Sequence, residues 1–312
     1  MTRPLTSPDG TAASRLAFGT MQFGGRADEA ASRAMFEACV EAGITHFDTA
    51  HVYTDGASER LLGSMIDEAR DRLLIATKAA YTGGGGRDNI LGSFDISRQR
   101  LGMDMVDILY MHRFDPDTDL HESMEAMAEL KSKGQIRYVG VSNFAAWQVV
   151  KAIGVAAKFD LTVDILQPMY NLVKRQAEVE ILPMCADQGV ACAPYSPLGG
   201  GLLTGKYSSG SAGRLTEDDR YAKRYGLGWM HDAAAALRDL AAELGSDPAT
   251  LAVAWAAAHE TAPTPIISAR SVEQLLPSLA ALTYKMTPDL YKKLSSLSPT
   301  PPPATDRIEE QP

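Results

Sequence analysis

The sequence predicts a single (β/α)₈ barrel of the TIM type, with a long loop after its seventh strand and extra helices near the C-terminus. Two observations carry that reading. Eight short apolar runs alternate with amphipathic segments along almost the whole of a 312-residue chain. Alternating strands and helices imply a parallel sheet, and eight repeats at this length fit a closed barrel better than an open doubly wound sheet. The second is the lack of any internal repeat or linker that would divide the chain. Residues 1–297 therefore read as one barrel domain. Residues 298–312 read as a disordered tail, because PTPPP followed by DRIEEQP offers nothing to bury.

In chain order the strand-like runs are Leu16–Gly19, Ile44–Asp48, Leu73–Thr77, Val106–Met111, Tyr138–Val141, Ile165–Gln167, Val190–Ala193 and Pro265–Ser268. Short runs without a polar face are what strands covered on both sides look like. Helical spacing fills Glu29–Glu41, Ser58–Glu68, Leu120–Lys133, Ala145–Ala157 and Val179–Asp187, and adds Asp232–Leu244 and Pro248–Ala258 before the eighth strand. Two start signals stand out: Ser142-Asn143 ahead of the helix at Ala145, and Ser271 with Gln274 three residues later as a capping box. Two segments break the rhythm. Tyr81–Asn89, with four consecutive glycines, reads as a mobile loop after the third strand. The stretch from Leu198 to about His231 is rich in Gly, Arg and Tyr, and a connection of that length reads as a lid or binding segment.

With 45% hydrophobic and 22% charged residues the chain is an ordinary globular one, and at this length folding buries roughly three quarters of its unfolded surface. A net charge of -9 argues against nucleic acid or an anionic membrane as the main partner, though not against a locally basic pocket. The three cysteines, Cys39, Cys185 and Cys192, have no metal-ligand spacing and read as core thiols of a reducing compartment. MTRPLTSPDG lacks the apolar run of a signal peptide, and no stretch approaches the ~18 apolar residues of a membrane span. A cytoplasmic protein, monomer or homodimer, without a metal, is expected.

The active site of such a barrel lies at the C-terminal mouth, on residues that end strands. Strand two ends on Asp48, strand three on Lys78 and strand four on His112, so one rim receives a carboxylate, an ammonium and an imidazole. Tyr53 follows Asp48 by five residues in the same rim. Singly, each has a plain structural reading: a helix cap, a solvated lysine, a satisfied histidine. Jointly they suit carbonyl reduction, which needs a proton for the nascent alkoxide. A tyrosine near pKa ~10 is a weak donor and a poor base. A lysine cation beside it lowers that value, a carboxylate keeps the lysine charged, and an imidazole can polarise the carbonyl.

These residues lie in longer motifs: FDTAHVYTDGASERLLG at 47–63, ATK at 76–78, YMHRFD at 110–115, GVSNF at 140–144 and YSPLGGGLLTGKY at 195–207. Together they resemble the aldo-keto reductase superfamily over nearly the whole chain. GTMQFGG at 19–25, SNFAAWQV at 142–149 and QPMYNLVKRQAEVE at 167–180 are similar to its aflatoxin-aldehyde and succinic-semialdehyde reductase branch. The resemblance implies an NADPH-dependent reductase of aldehydes and ketones, with NADH the lesser cofactor and no Gly-rich Rossmann loop. It carries Asp48, Tyr53, Lys78 and His112 over as the catalytic four, with Tyr53 as the acid. It assigns Ser142, Asn143 and Gln167 to the nicotinamide amide and Tyr195 to its ring. The pyrophosphate would lie under Ser196–Lys206, through Ser196, Pro197, Leu198, Gly200, Leu202 and Lys206, where glycines let backbone N–H groups approach oxygens. Gly19, Thr20, Met21, Asp48 and Arg214 complete the cofactor set. Ser268, Ala269, Arg270, Ser271 and Gln274 match the segment that grips the adenosine 2′-phosphate and adenine. Ser268 and Ser278 depart from the family's usual Gly and Asn. His112 and Arg224, the latter in YAKRY, would meet substrate. Met21, Phe23, Phe114, Trp147 and Trp229 are candidates for the pocket wall.

Two other classes remain open. The superfamily includes channel-regulatory subunits that bind cofactor with little turnover. A metal-dependent barrel hydrolase would need a histidine-rich ligand set, whereas the six histidines are scattered and His46 is expected to point away from Asp48.

Overall fold

The computed structural model describes residues 4–209, 213–307 and 309. Residues 1–3, 210–212, 308 and 310–312 lie outside that description, and with them the end of the expected tail and part of the long connection. The elements run β1 (Ala17–Gly19), α1 (Glu29–Glu41), β2 (His46–Asp48), α2 (Ala57–Gly63), β3 (Leu74–Ala79), α3 (Arg87–Leu101), β4 (Val106–Met111), α4 (Leu120–Ser132), β5 (Ile136–Ser142) and α5 (Ala146–Ala156). They continue with β6 (Ile165–Gln167), α6 (Ile181–Gln188), β7 (Ala191–Cys192), α7 (Arg214–Glu217), α8 (Asp219–Arg224), α9 (Gly228–Glu243), α10 (Pro248–Ala257), β8 (Ile266–Ile267), α11 (Val272–Ala280) and α12 (Pro288–Ser295).

Neighbouring strands pair in parallel in the order β7-β6-β5-β4-β3-β2-β1-β8. The two ends of that sheet meet: Tyr195 bridges Ile266, Ile266 N donates to the Pro194 carbonyl at 2.8 Å, and Thr264 N donates to the Cys192 carbonyl at 2.8 Å. A sheet that closes on itself has no exposed edge.

Alternation along each strand decides what fills the barrel. Ala17, Leu74, Ala76, Ile108, Tyr110, Ile165, Ala193 and Ile266 pack on one another inside, with Leu5 at the floor. The opposite faces, including Phe18, Phe47, Ile75, Leu109, Val141 and Ile267, pack against the helices. Gly140 is required by this packing, since a Cβ there would lie 2.4 Å from the Tyr110 ring. The floor is shut by the N-terminal segment. Thr6 bridges Ala12, and the Tyr138 hydroxyl accepts a hydrogen bond from Thr6 N at 3.2 Å.

Several elements differ from expectation, each for a local reason. The helix expected to reach Glu68 stops at Gly63, which lies against the backbone of Leu101 so closely that a Cβ would come within 2.4 Å. The four-glycine loop is shorter than expected and tied down. Helix α3 begins at Arg87, Asp115 accepts from Gly85 N at 2.7 Å, and Asn89 donates to the carbonyls of Thr82 and Gly84. Ser142 and Asn143 do not cap α5; there Gln148 Oε1 accepts from Ala145 N at 2.8 Å. The capping box at α11 is half made. Ser271 Oγ accepts from Gln274 N, while Gln274 Oε1 reaches Arg270 N instead. The long connection, expected as a loop, holds a turn at Gly199–Thr204 and the helices α7 and α8. At the C-terminus, Ser298 is buried and accepts from Arg175 at 3.5 Å; residues 299–307 form neither helix nor strand.

Candidate active site

Inward-facing positions at the tops of β2, β3 and β6 bring Asp48, Lys78 and Gln167 together. The Lys78 ammonium is buried and spends its three hydrogens on Asp48 Oδ2 at 2.5 Å, the Thr49 carbonyl at 2.7 Å and the Tyr53 hydroxyl at 3.5 Å. Gln167 donates to the other oxygen of Asp48 at 2.8 Å. Both carboxylate oxygens thus have fixed partners. Burial works against the Lys78 charge, but Asp48 and Tyr53 outweigh it and hold its pKa above the usual lysine value.

Tyr53 opens the turn Tyr53–Gly56, in which Thr54, Asp55 and Gly56 all have positive φ (47°, 52° and 80°). Three successive residues in that region make a tight reversal that keeps Tyr53 over the barrel, and Thr54 anchors it by donating to the Phe23 carbonyl at 2.8 Å. Here the sequence expectation is corrected in sign. Burial raises the Tyr53 pKa, and the opposing pull of Lys78 does not reverse it. The phenol is therefore protonated near neutral pH.

His112, two residues past the inward-facing Tyr110, stands edge-on to the Tyr53 ring at 5.9 Å and packs on Tyr81 at 4.8 Å. Burial, with Lys78 and Arg113 nearby, pushes its pKa down to about 3, so the imidazole is neutral. Its Nδ1 is buried without a hydrogen-bond partner. Tyr81 is a wall residue that sequence reading missed; it hides in the glycine loop, where no periodicity marks it.

Beside this group, Ser142 Oγ donates to the Gln167 carbonyl at 3.0 Å, and Asn143 Nδ2 donates to the His112 carbonyl at 3.0 Å and to Ser142 Oγ at 3.1 Å. The Tyr195 hydroxyl donates to Asn143 Oδ1 at 2.7 Å. Asn143 has φ 58°, which is a strained backbone for a mere helix cap.

Further round the mouth, Gly200 and Gly201 have φ of 67° and 95°. Lys206, Arg270, Arg214 and Arg26 gather here, close enough for their charges to act on Lys206 and Arg270. Burial first, then Arg270, lowers the Lys206 pKa, and burial, then Arg26, lowers that of Arg270. Glu217 is the carboxylate among them, 2.8 Å from Arg26 and 3.9 Å from Arg270. Ser268 Oγ is buried without a partner. Arg26 and Glu217 were not among the expected residues, being separated in sequence with no motif to join them.

Some expected residues do not line the mouth by their side chains. The Thr20 hydroxyl is turned to Ser58 at 2.8 Å, Leu202 is buried in the outer core, and so is Phe23, whose ring packs at a tilt on Phe18. Phe114 and Trp147 do pair, at 5.9 Å between ring centres. Arg214 and Arg224 each lie 5.2 Å from the Tyr221 ring centre. His46 is corrected outright. Being two residues before Asp48, it faces the same side, and its ring is buried inside the barrel within the influence of Asp48, Lys78 and Asp107.

Among the described residues no helix is long and apolar enough to cross a membrane, no group of three or more His, Cys, Asp or Glu could hold a metal ion, and the three cysteines are buried and free.

A closed parallel barrel whose mouth holds a carboxylate, an ammonium and a phenol in one hydrogen-bonded unit is the architecture of a barrel oxidoreductase. The chain belongs to the aldo/keto reductase family, whose model matches residues 15–299. It is 32% identical over 326 residues to the probable voltage-gated potassium channel subunit beta of Oryza sativa subsp. japonica, covering 95% of this chain and 96% of that one. It is 33% identical over 314 residues, 94% of each chain, to the uncharacterized oxidoreductase YrpG of Bacillus subtilis. Over a shorter stretch of 195 residues, 61% of this chain and 53% of the other, it is 36% identical to aflatoxin B1 aldehyde reductase member 2 of Rattus norvegicus.

Proposed function

We propose that this protein is an NADPH-dependent reductase of aldehydes and ketones in which Tyr53 supplies the proton. The observation that supports this best is the ammonium of Lys78, held by Asp48 and the Thr49 carbonyl with its third hydrogen toward the Tyr53 oxygen. An oxygen that accepts from Lys78 keeps its own hydrogen to give. The neutral His112 has one N–H to offer a carbonyl oxygen and so polarises it without competing as an acid. As the substrate oxygen gains charge it takes the Tyr53 proton, and Lys78 stabilises the phenolate left behind.

The nicotinamide cofactor, when bound, supplies the hydride. The residues present fit it. Ser142, Asn143 and Gln167 form a cluster of amide and hydroxyl groups next to His112, suited to a carboxamide. Gly200 and Gly201 leave backbone free of Cβ for a pyrophosphate. Four cations around one carboxylate, on a chain of net charge -9, with the unpartnered Ser268 hydroxyl, form a place for a further phosphate. That local excess of positive charge favours NADPH over NADH. Arg224, beside Tyr221 and near enough to Tyr195 to lower its pKa against the larger effect of burial, would face an acidic carbonyl substrate. Buried free thiols suit a reducing cytoplasm.

The likeness to a probable potassium channel subunit beta favours a second reading, that this chain is a regulatory subunit that binds cofactor with little turnover. Incubation with NADPH and 4-nitrobenzaldehyde, followed at the cofactor absorbance, separates the two. Steady loss of absorbance supports the reductase. Cofactor binding without turnover supports the regulatory reading, and failure to bind NADPH overturns both.

A further inference from the structure

Behind the Tyr53 turn lies a buried polar chain that has no part in the reaction steps above. Glu59, on α2, is fully buried. It accepts from the Thr77 hydroxyl at 2.6 Å and from Arg100 Nη1 at 3.2 Å. The same Arg100 nitrogen donates to the His51 carbonyl at 2.8 Å. The other side of that residue is also fixed, since His51 N donates to the Lys78 carbonyl at 3.1 Å. The guanidinium lies against Gly56, where a Cβ would stand 2.4 Å from the guanidinium carbon and would push the clamp aside.

We propose that Arg100 is a positioning residue for Tyr53: it clamps the turn from below at His51 and Gly56 and so fixes the hydroxyl against Lys78. This rests on the reading of Tyr53 as proton donor. The physical need is plain. Thr54, Asp55 and Gly56 lie in a region of backbone space that non-glycine residues rarely adopt, so neighbours must hold the turn in place. The clamp reaches from the last turn of α3 to both ends of the segment bearing Tyr53, and its counter-charge, Glu59, is anchored to Thr77, the residue before Lys78. One ion pair therefore ties the acid's turn to the strand that carries its lysine. A displacement of the order of 1 Å in such a site can cost ~10²-fold in rate.

Removing Arg100 alone would leave Glu59 charged and buried, so the test uses the neutral pair Arg100→Met with Glu59→Gln, beside Arg100→Lys. The full-length protein is assayed with NADPH and 4-nitrobenzaldehyde, with NADPH affinity read separately by fluorescence quenching. The double variant should keep its NADPH affinity within about twofold and lose kcat by ~10-fold or more; Arg100→Lys, which keeps one donor, should recover most of it. In a Tyr53→Phe background the same pair should cost no further rate, because the group it positions is gone. Tyrosine labelled with carbon-13 at Cζ gives a reading independent of turnover: the Tyr53 resonance, assigned by its loss in Tyr53→Phe, should shift or split in the double variant. An unmoved resonance, an unchanged kcat, or an equal loss in the Tyr53→Phe background overturns the positioning role. If the native protein turns over nothing, the reductase reading fails, while the resonance still decides whether Arg100 holds the turn.

Discussion

The Lys78 ammonium stands 3.5 Å from the Tyr53 hydroxyl but 2.5 Å from Asp48. The lysine is thus held first by the carboxylate and only loosely by the phenol. If Tyr53 is the acid, as proposed, it keeps its proton in the resting state and the attraction of Lys78 would grow only as the phenolate forms. That would be stabilisation of the product of proton transfer rather than of the starting acid.

Tyr53→Phe should therefore lose turnover by ~10²-fold or more while NADPH still binds, since only the donor hydroxyl is removed. Steady-state reduction of 4-nitrobenzaldehyde beside a cofactor titration checks it. Near-full activity in the variant would remove Tyr53 from the reaction.

Lys78→Met should be about as damaging, because it takes the cation from beneath Tyr53 and leaves Asp48 with Gln167 as its side-chain partner. The two losses should not add: a double variant with Tyr53→Phe should be scarcely slower than either single one, as groups acting as a unit behave. Measured additivity would separate their roles.

Arg270→Ala should raise the Michaelis constant for NADPH by roughly ten- to a hundredfold, the worth of a charge-assisted hydrogen bond of about 1.5–3 kcal/mol. The constant for NADH should stay almost unchanged, because NADH carries a neutral hydroxyl at the corresponding place. Added salt should weaken NADPH binding more in the native protein than in the variant. An unchanged NADPH/NADH ratio would assign the phosphate to Lys206 and Arg214 instead.

His46 sets an acid limit on the fold. Burial lowers its pKa from 6.5 to about 4, Asp48 opposing, so the unfolded chain binds its proton more readily than the folded one. Stability from this group is complete above the ordinary histidine pKa of ~6.5 and falls as pH drops toward 4. At about 1.4 kcal/mol per tenfold change in proton affinity, His46 alone withdraws roughly 3 kcal/mol over that window. Urea unfolding at pH 7.5 and pH 5 should show the loss, and His46→Gln should shrink it. Equal slopes in the two proteins would show that His46 is not the group responsible.

The barrel was legible because its strands are apolar on both faces and end in polar residues. Asp48, Lys78 and His112 are local facts of three strand ends. Helix α3 was less so: Ile90, Phe94 and Leu101 are buried at helical spacing, but the glycines before them pull the eye toward a loop. The contacts that reverse the expected Tyr53 shift are not local, since burial depends on what the rest of the mouth covers. The Arg100–Glu59 pair joins residues 41 apart, and no pattern in either segment names the other. His46 needed no structure at all, only the period of two along a strand.

Leu5 and the Thr6 to Ala12 bridge stopper the barrel at its N-terminal end, with Tyr138 bonded to Thr6. A vessel corked below has a single door. On the proposed reading, bound cofactor and substrate would cover that door, and Tyr53 would recover its proton from the buffer before they bind or after they leave. Exchange with solvent and chemistry on the substrate would then be separated in time, by a segment that lies at the opposite end of the barrel from both.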